Sequence, residues 1–301
     1  MASEYRLEPC RGALNRVHGM PFEWSLNPYM GCAHRCTFCY VRAFERRAER
    51  PWDDAYGRSI RVKTNIAEVL RLELTRRSWR GAGIAIGAAT DPYQPAEARF
   101  RLTRACLEVL AERANPFGIV TRGPLVVRDR DILQDAASRA KVSVHISIPT
   151  LDEALAHATE PGAAPPRSRL RAVALLADAG IRVSVAMAPI LPGLSDSPAA
   201  LAAVVRAARD AGATGIWAEF AYLKPGTREH FLAQAEQSWP GERARLEALY
   251  RERAYLARER QAALRAGIEA LRREHPRRLL AREPIVPEER PVLAQQLGLA
   301  L

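Results

Sequence analysis

Gly31-Cys32-Ala33-His34-Arg35-Cys36-Thr37-Phe38-Cys39-Tyr40 puts three cysteines in one short loop with the spacing C-x3-C-x2-C. Three thiolates so spaced can hold three corners of a [4Fe–4S] cube, leaving the fourth iron without a protein ligand. An open iron is a place for chemistry rather than for electron storage. A ferredoxin-type cluster needs a fourth thiolate, and the remaining cysteines, Cys10 and Cys106, lie elsewhere in unpromising contexts. A disulfide framework is disfavoured by the odd count and by a start without a charged-then-apolar leader. Zinc is the bland alternative. A structural zinc site wants four ligands, usually in paired C-x2-C halves, and His34 would have to be the fourth. In so tight a loop, His34 is expected to turn outward.

Working outward, short apolar runs recur at 83–89, 117–121, 142–148, 181–189 and 214–220, and a first strand near 24–29 leads into the cysteine loop. Helical patterns lie between them at 66–77, 102–113, 131–140, 167–179 and 199–211. Strict alternation of this kind means a parallel sheet whose right-handed crossovers curl it toward a barrel. The expected fold is α/β: a partial (β/α)6 TIM-type barrel over residues 1–225, with a helical extension over 226–301. In such barrels, active residues gather at the C-terminal strand ends. The second strand end carries Thr90, Asp91, Tyr93, Gln94 and Glu97, the third Arg122 and the fourth Ser147. The bland reading of these groups is a capped rigid turn, a surface arginine and a strand-end serine. His145 shares a strand face with Ser147 and reads as a core histidine or a substrate-side acid. Glu219, Tyr222 and Lys224 end the last strand as candidate substrate-side groups, and Glu160 with Arg169 reads as a structural ion pair.

Cys32-x3-Cys36-x-Phe38-Cys39, with an aromatic before the last cysteine, resembles the signature of the radical S-adenosylmethionine (SAM) superfamily. That resemblance implies Cys32, Cys36 and Cys39 as ligands of a [4Fe–4S] cluster whose open iron binds SAM. It implies one-electron cleavage of SAM to methionine and a 5′-deoxyadenosyl radical, with a reductant such as ferredoxin or flavodoxin as partner. By the same resemblance, Thr90 and Asp91 would hold the SAM amino group, Arg122 its carboxylate and Ser147 its ribose, and the segment 188–196 would line the adenine. Met20–Cys32, Thr90–Pro95 and the Glu160-Pro161…Arg169-Leu170 segment extend the similarity over roughly residues 12–225. They resemble the spore photoproduct lyase-like branch. In true lyases a cysteine after the second strand is the hydrogen donor; the matching region here, Ala88-Ala89-Thr90, has no thiol. Cys106 shares a helical face with Leu102, Val109 and Leu110 and reads as a core thiol.

Composition sets the remaining bounds. The chain has 301 residues, 48% apolar, and a net charge of +11. Such a charge invites a nucleic-acid partner. However, only Lys63, Lys141 and Lys224 of the 45 basic residues are lysines, a bias that GC-rich coding also produces. The longest apolar region, 172–194, is interrupted by Asp178, Arg182 and Pro189, so no membrane span is expected. Free thiols and no export signal suit a reducing cytoplasm. Residues 241–273, rich in Arg and Glu with Leu246, Leu249, Leu256, Leu264, Ile268 and Leu271 at helical spacing, read as one long helix, packed on the barrel or facing nucleic acid. Pro284, Pro287 and Pro291 suggest a strap. Three functional readings stand: a radical enzyme acting on nucleic acid (repair or modification), one acting on a peptide or small molecule, and a non-catalytic iron–sulfur or zinc-binding protein.

Overall fold

The computed structural model describes residues 3–278, 280 and 284–287; Pro291 lies outside the described residues. In chain order its strands are β1 (Glu4–Glu8), β2 (Leu14–Arg16), β3 (Trp24–Leu26), β4 (Tyr29–Met30), β5 (Ser59–Lys63), β6 (Ile84–Ile86), β7 (Phe117–Thr121), β8 (Val142–Ser147), β9 (Val183–Ile190) and β10 (Gly215–Phe220). Six of them run parallel in the order β10-β9-β8-β7-β6-β3, and β2 adds antiparallel to β3 at one edge. The sheet does not close on itself: the parallel sheet predicted from the alternation is present, as the open, partial (β/α)6 barrel that the superfamily resemblance implies. β4, β5 and β1 form a second, three-stranded sheet beside it.

Strand periodicity places the site. Val142, Val144 and Ile146 of β8 are buried in the main core, together with Leu107 and Leu110, Leu133, and Val173 and Leu176 from helices outside the sheet. The alternate residues face the concave side. Register aligns Ser25, Ala85, Gly118 and Ser143 in one inner row, and Val120, His145, Ser184 and Gly215 in the next. Six of these eight are Gly, Ala or Ser, which leaves this part of the concave face open. His145 stands there half-buried, its Nε2 3.2 Å from Ser143 Oγ. Burial, and then Arg182, draw its pKa down, favouring the neutral ring.

The helices are α1 (Val41–Arg47), α2 (Ile66–Leu74), α3 (Pro95–Phe100), α4 (Leu102–Glu112), α5 (Arg130–Arg139), α6 (Glu153–Thr159), α7 (Pro166–Asp178), α8 (Pro198–Asp210), α9 (Thr227–Ser238), α10 (Pro240–Tyr250) and α11 (Arg258–Glu274). Cys106 on α4 is fully buried in the main core, as its helical face predicts. The single long helix expected over 241–273 is instead two helices. Arg228 captures the carbonyls of Tyr250 and Arg251 at 2.9 and 3.0 Å, and Leu223 donates its N–H to the Ala254 carbonyl at 2.9 Å. These bonds remove the acceptors that the next helical turn would have used. The leucine stripe divides accordingly. Leu246, Leu249 and Leu256 join a core with Cys36, Phe38 and Leu223, whereas Leu264, Ile268 and Leu271 pack in the main core, where Ile216 and Ala218 of β10 also lie. Among the described residues, no helix is long and apolar enough to cross a membrane.

Candidate active site

The cysteine loop lies between β4 and α1, beyond the C-terminal end of β3, and nearly every element around the barrel mouth ties it down. From the β6 end, the Thr90 hydroxyl donates to the Gly31 carbonyl at 2.6 Å. The Gln94 amide spans Gly31 O and Ala33 N at 3.1 and 2.9 Å. From the end of α6, the Thr159 carbonyl accepts the Thr37 N–H at 2.8 Å, and Gly162 N–H donates to the His34 carbonyl at 3.0 Å. At the start of α9, the Thr227 hydroxyl donates to the Cys39 carbonyl at 3.0 Å.

Inside the loop sits Arg42, 2% exposed. Its guanidinium donates to the carbonyls of Arg35, Cys36, Trp52 and Asp53 at 2.6–3.1 Å, and lies 4.7 Å from the Tyr56 ring centroid. Five donors on a rigid fork can satisfy several carbonyls at once, which lysine cannot do. The Tyr56 hydroxyl in turn stands 3.8 Å from Cys39 Sγ.

Two glycines let backbone press against the loop. Gly57 has φ +78°, and a Cβ there would overlap the Cys32 carbonyl oxygen and approach Arg35 Cγ to 2.7 Å. A Cβ on Gly162 would strike the Ala33 carbonyl. Gly57→Ala is therefore expected to cost about 1–3 kcal/mol and to lower the iron retained after anaerobic reconstitution severalfold. Gly81→Ala, with φ +70° but open space around the new Cβ, is the control that keeps the backbone strain without the clash. Iron per chain and thermal melting of the two variants separate the effects.

Cys32 and Cys36 are 8% and 6% exposed, and Cys39 is half-buried. Burial, and then the Asp91 carboxylate, push the Cys32 thiol up to about 12; burial also drives Cys36 well above the ordinary range. Thiols so desolvated become thiolates when metal supplies the compensating charge. Among the described residues, no group of three or more Cys, His, Asp or Glu side chains is placed to hold a single metal ion. A cube takes each thiolate at a separate iron, and the loop fits it: three cysteines in one short loop, with the Tyr56 hydroxyl beside the Cys39 sulfur.

His34 corrects the sequence expectation. It is 4% exposed and points inward, with Nδ1 3.3 Å from Asp91 Oδ2, a close polar contact without hydrogen-bond alignment. It turns in because Asp91 offers a buried carboxylate beneath the loop. Asp91 also accepts from the Thr121 hydroxyl and the Arg122 amide, both at 2.6 Å. Burial would raise its carboxyl, but His34, Thr121 and the Arg122 amide outweigh that and hold it at about 2.

The four candidate SAM contacts thus gather at one mouth, but in different states. Thr90 and Asp91 have their side chains turned onto the loop and the neighbouring strand end. Arg122 is pinned by Glu160 at 2.5 Å and the Ala188 carbonyl at 3.1 Å, with its guanidinium 5.6 Å from the Phe38 ring centroid. Ser147 is buried on the concave side, its carbonyl accepting Arg169 at 3.0 Å. The Glu160–Arg169 pair read from sequence is present at 2.6 Å, and Arg122 makes it a triad. Glu219 is committed to Arg265 at 2.7 Å, while Tyr222 and Lys224 stand at the outer edge. Arg42, Tyr56, Gly57 and Gly162 carried no signal in the sequence, because their partners are backbone groups or lie far along the chain.

The radical SAM superfamily pattern matches residues 26–205, more than half of the chain and including the whole cysteine loop. The chain belongs to the radical SAM superfamily. The superfamily's cofactors are a [4Fe–4S] cluster and SAM. An uncharacterised protein of Mycobacterium tuberculosis is 35% identical over 265 residues, spanning 87% of this chain and 78% of the relative. An uncharacterised protein of Acidianus two-tailed virus is 33% identical over 178 residues, covering 56% of each. Among solved structures, spore photoproduct lyase complexed with dinucleoside spore photoproduct superimposes with a TM-score of 0.66 at 15% identity, over 90% of this chain and 79% of that one. At that identity the likeness establishes the radical SAM fold.

Proposed function

We propose that this radical SAM protein reductively cleaves SAM at a cluster held by Cys32, Cys36 and Cys39, and that it acts on a nucleic acid in repair or modification. The cysteine loop carries the reading: three shielded sulfurs fixed at the C-terminal mouth of an open parallel barrel whose concave face is left roomy by small residues. Cys32, Cys36 and Cys39 would hold a [4Fe–4S] cluster, which when bound would supply the one electron for reductive cleavage of SAM to methionine and a 5′-deoxyadenosyl radical, with a ferredoxin- or flavodoxin-type reductant as electron donor.

The chain's own residues do the rest. Arg42 and the bonds from Thr90, Gln94 and Thr227 hold the loop rigid, so the sulfurs keep their places. Arg122, fixed in direction by Glu160, is suited to meet the carboxylate of SAM. Ser147 offers a hydroxyl to its ribose on the concave side, and the backbone of 188–196 lines the adenine. Thr90 and Asp91 contribute to the amino-group end chiefly by fixing the loop and strand end. Residues 226–301 form the extension in this reading, with α9 bracing the cluster loop. The net charge of +11 supports a polyanionic substrate. Oligonucleotide binding that weakens steeply with added salt, together with nucleic-acid-dependent stimulation of deoxyadenosine release, is the expected result. Stimulation by peptides instead would favour the peptide-modifying alternative.

A further inference from the structure

The break between α10 and α11 builds a surface that the radical chemistry does not use. Residues 251–257 loop out beside the end of β10, held there by the Leu223 N–H to Ala254 carbonyl bond. Tyr255 is 54% exposed, and one face of its ring stacks on Tyr222 at 4.1 Å and 24°. The exposed area therefore lies on the opposite face and edge. Lys224 Nζ stands 5.3 Å from the centroid of the Tyr222 ring. Beside Tyr255 is a concavity of about 360 Å³ whose walls include Leu249, Arg251, Arg253 and Arg260. That volume lies within the roughly 300–1,000 Å³ of ligand pockets. The three arginines are exposed and make no ion pair among the described residues; Glu252 is the acidic residue of the same wall.

Position links this surface to the site. β10 is the free edge of the open sheet. Leu256, next to Tyr255, packs in the same apolar cluster as Cys36 and Phe38 of the cysteine loop. Trp217 on β10 is 40% exposed, and register puts it on the concave face in line with Ala186 and Ser147. Exposed aromatic rings thus stand outside the open edge and just within it.

We propose that the Tyr255 concavity seats an unpaired base of a single-stranded or locally opened nucleic acid, with Arg251, Arg253 and Arg260 on the flanking phosphates. A stacked tyrosine pair presents a flat π-face that accepts any base, and unpaired guanidinium groups suit phosphate oxygens. The inference rests on the reading of the chain as a nucleic-acid-acting radical enzyme, and adds where and in what form the strand is held.

The test uses the reconstituted full-length protein and a labelled oligothymidylate of about 20 nucleotides, longer than the roughly 4–16 that one binding module covers. Anisotropy titrations compare this strand with a duplex of equal length for the wild type, Tyr255→Ala, Tyr255→Trp and the Arg253→Ala/Arg260→Ala pair. Loss of one stacked base, about 1–3 kcal/mol, corresponds to about 5–150-fold weaker binding for Tyr255→Ala, with Tyr255→Trp restoring it. The arginine pair is expected to lower the salt slope by roughly 1.4, two phosphate contacts on a single strand. SAM cleavage without nucleic acid should be unchanged in all variants, so failure of the radical reading (no deoxyadenosine from any protein) is distinct from failure of this surface. Equal binding of the strand by wild type and Tyr255→Ala, a preference for intact duplex, or equal competition by polyglutamate would each overturn the proposal.

Discussion

Cys36→Ala is expected to abolish the cluster and with it all SAM cleavage, while leaving the fold in place. Anaerobically reconstituted wild type should carry about four irons per chain, and the variant close to none. Deoxyadenosine formation should fall to that of cluster-free protein, a larger loss than the roughly 10–100-fold typical of changes around a metal's ligands. The fold should persist because the loop is held by carbonyls and amides: Arg42 on four carbonyls, Gln94 and Thr90 on Gly31, Thr159 on Thr37. None of these bonds involves the Cys36 sulfur. Cys106→Ala is the matched control. Its thiol is fully buried in the main core, so that variant should lose some stability but no iron. Iron quantification and melting of both proteins give the comparison.

The second large effect is on stability, at the buried triad of Arg122, Glu160 and Arg169. Glu160 is 2% exposed and Arg169 1%. Burial would raise the Glu160 carboxyl, but Arg169 and Arg122 outweigh it and hold the carboxyl below the ordinary range. Removing one partner of such a set leaves an uncompensated buried charge, worth about 3–5 kcal/mol. Glu160→Gln should therefore lower Tm by about 10 °C for a chain of this size, as read by thermal unfolding. The same substitution removes one of the two anchors of Arg122, so on the proposed SAM-binding role affinity for SAM should fall together with stability. Because the folded-state pKa of Glu160 is depressed, its contribution is fully present above the unfolded carboxylate value near 4.3 and is lost as pH falls through the lower folded value. The wild-type and Glu160→Gln melting curves should therefore converge only in strong acid.

Much of this molecule could be read directly from its residues. The five later barrel strands fall within a few residues of the apolar runs, and α2, α4, α5, α7 and α8 follow the amphipathic segments, because burial on one face imposes period 2 or 3.6 on the chain. The cysteine spacing likewise announces its chemistry, since few other purposes bring three thiols into one loop. Other features left no such trace. β1, β4 and β5 form a side sheet whose strands are short and carry exposed or half-exposed Glu4, Arg6, Glu8 and Arg61, so they lack an apolar run. The inward turn of His34 depends on Asp91, 57 positions away in the chain and brought close only by the fold. The break between α10 and α11 has neither glycine nor proline; tertiary capture of carbonyls by Arg228 and Leu223 makes it. Intrinsic propensity favoured helix there, and long-range bonding overrode it.

The central claim is that the loop at the barrel mouth carries a SAM-cleaving cluster, and one measurement tests it directly. Reconstituted protein is incubated with SAM and dithionite under anaerobic conditions, and 5′-deoxyadenosine and methionine are quantified alongside iron. Deoxyadenosine and methionine formed together, from protein carrying about four irons per chain, is the expected result. An intact cluster of about four irons that yields no deoxyadenosine, or a reconstituted protein that holds a single zinc instead, would contradict the account.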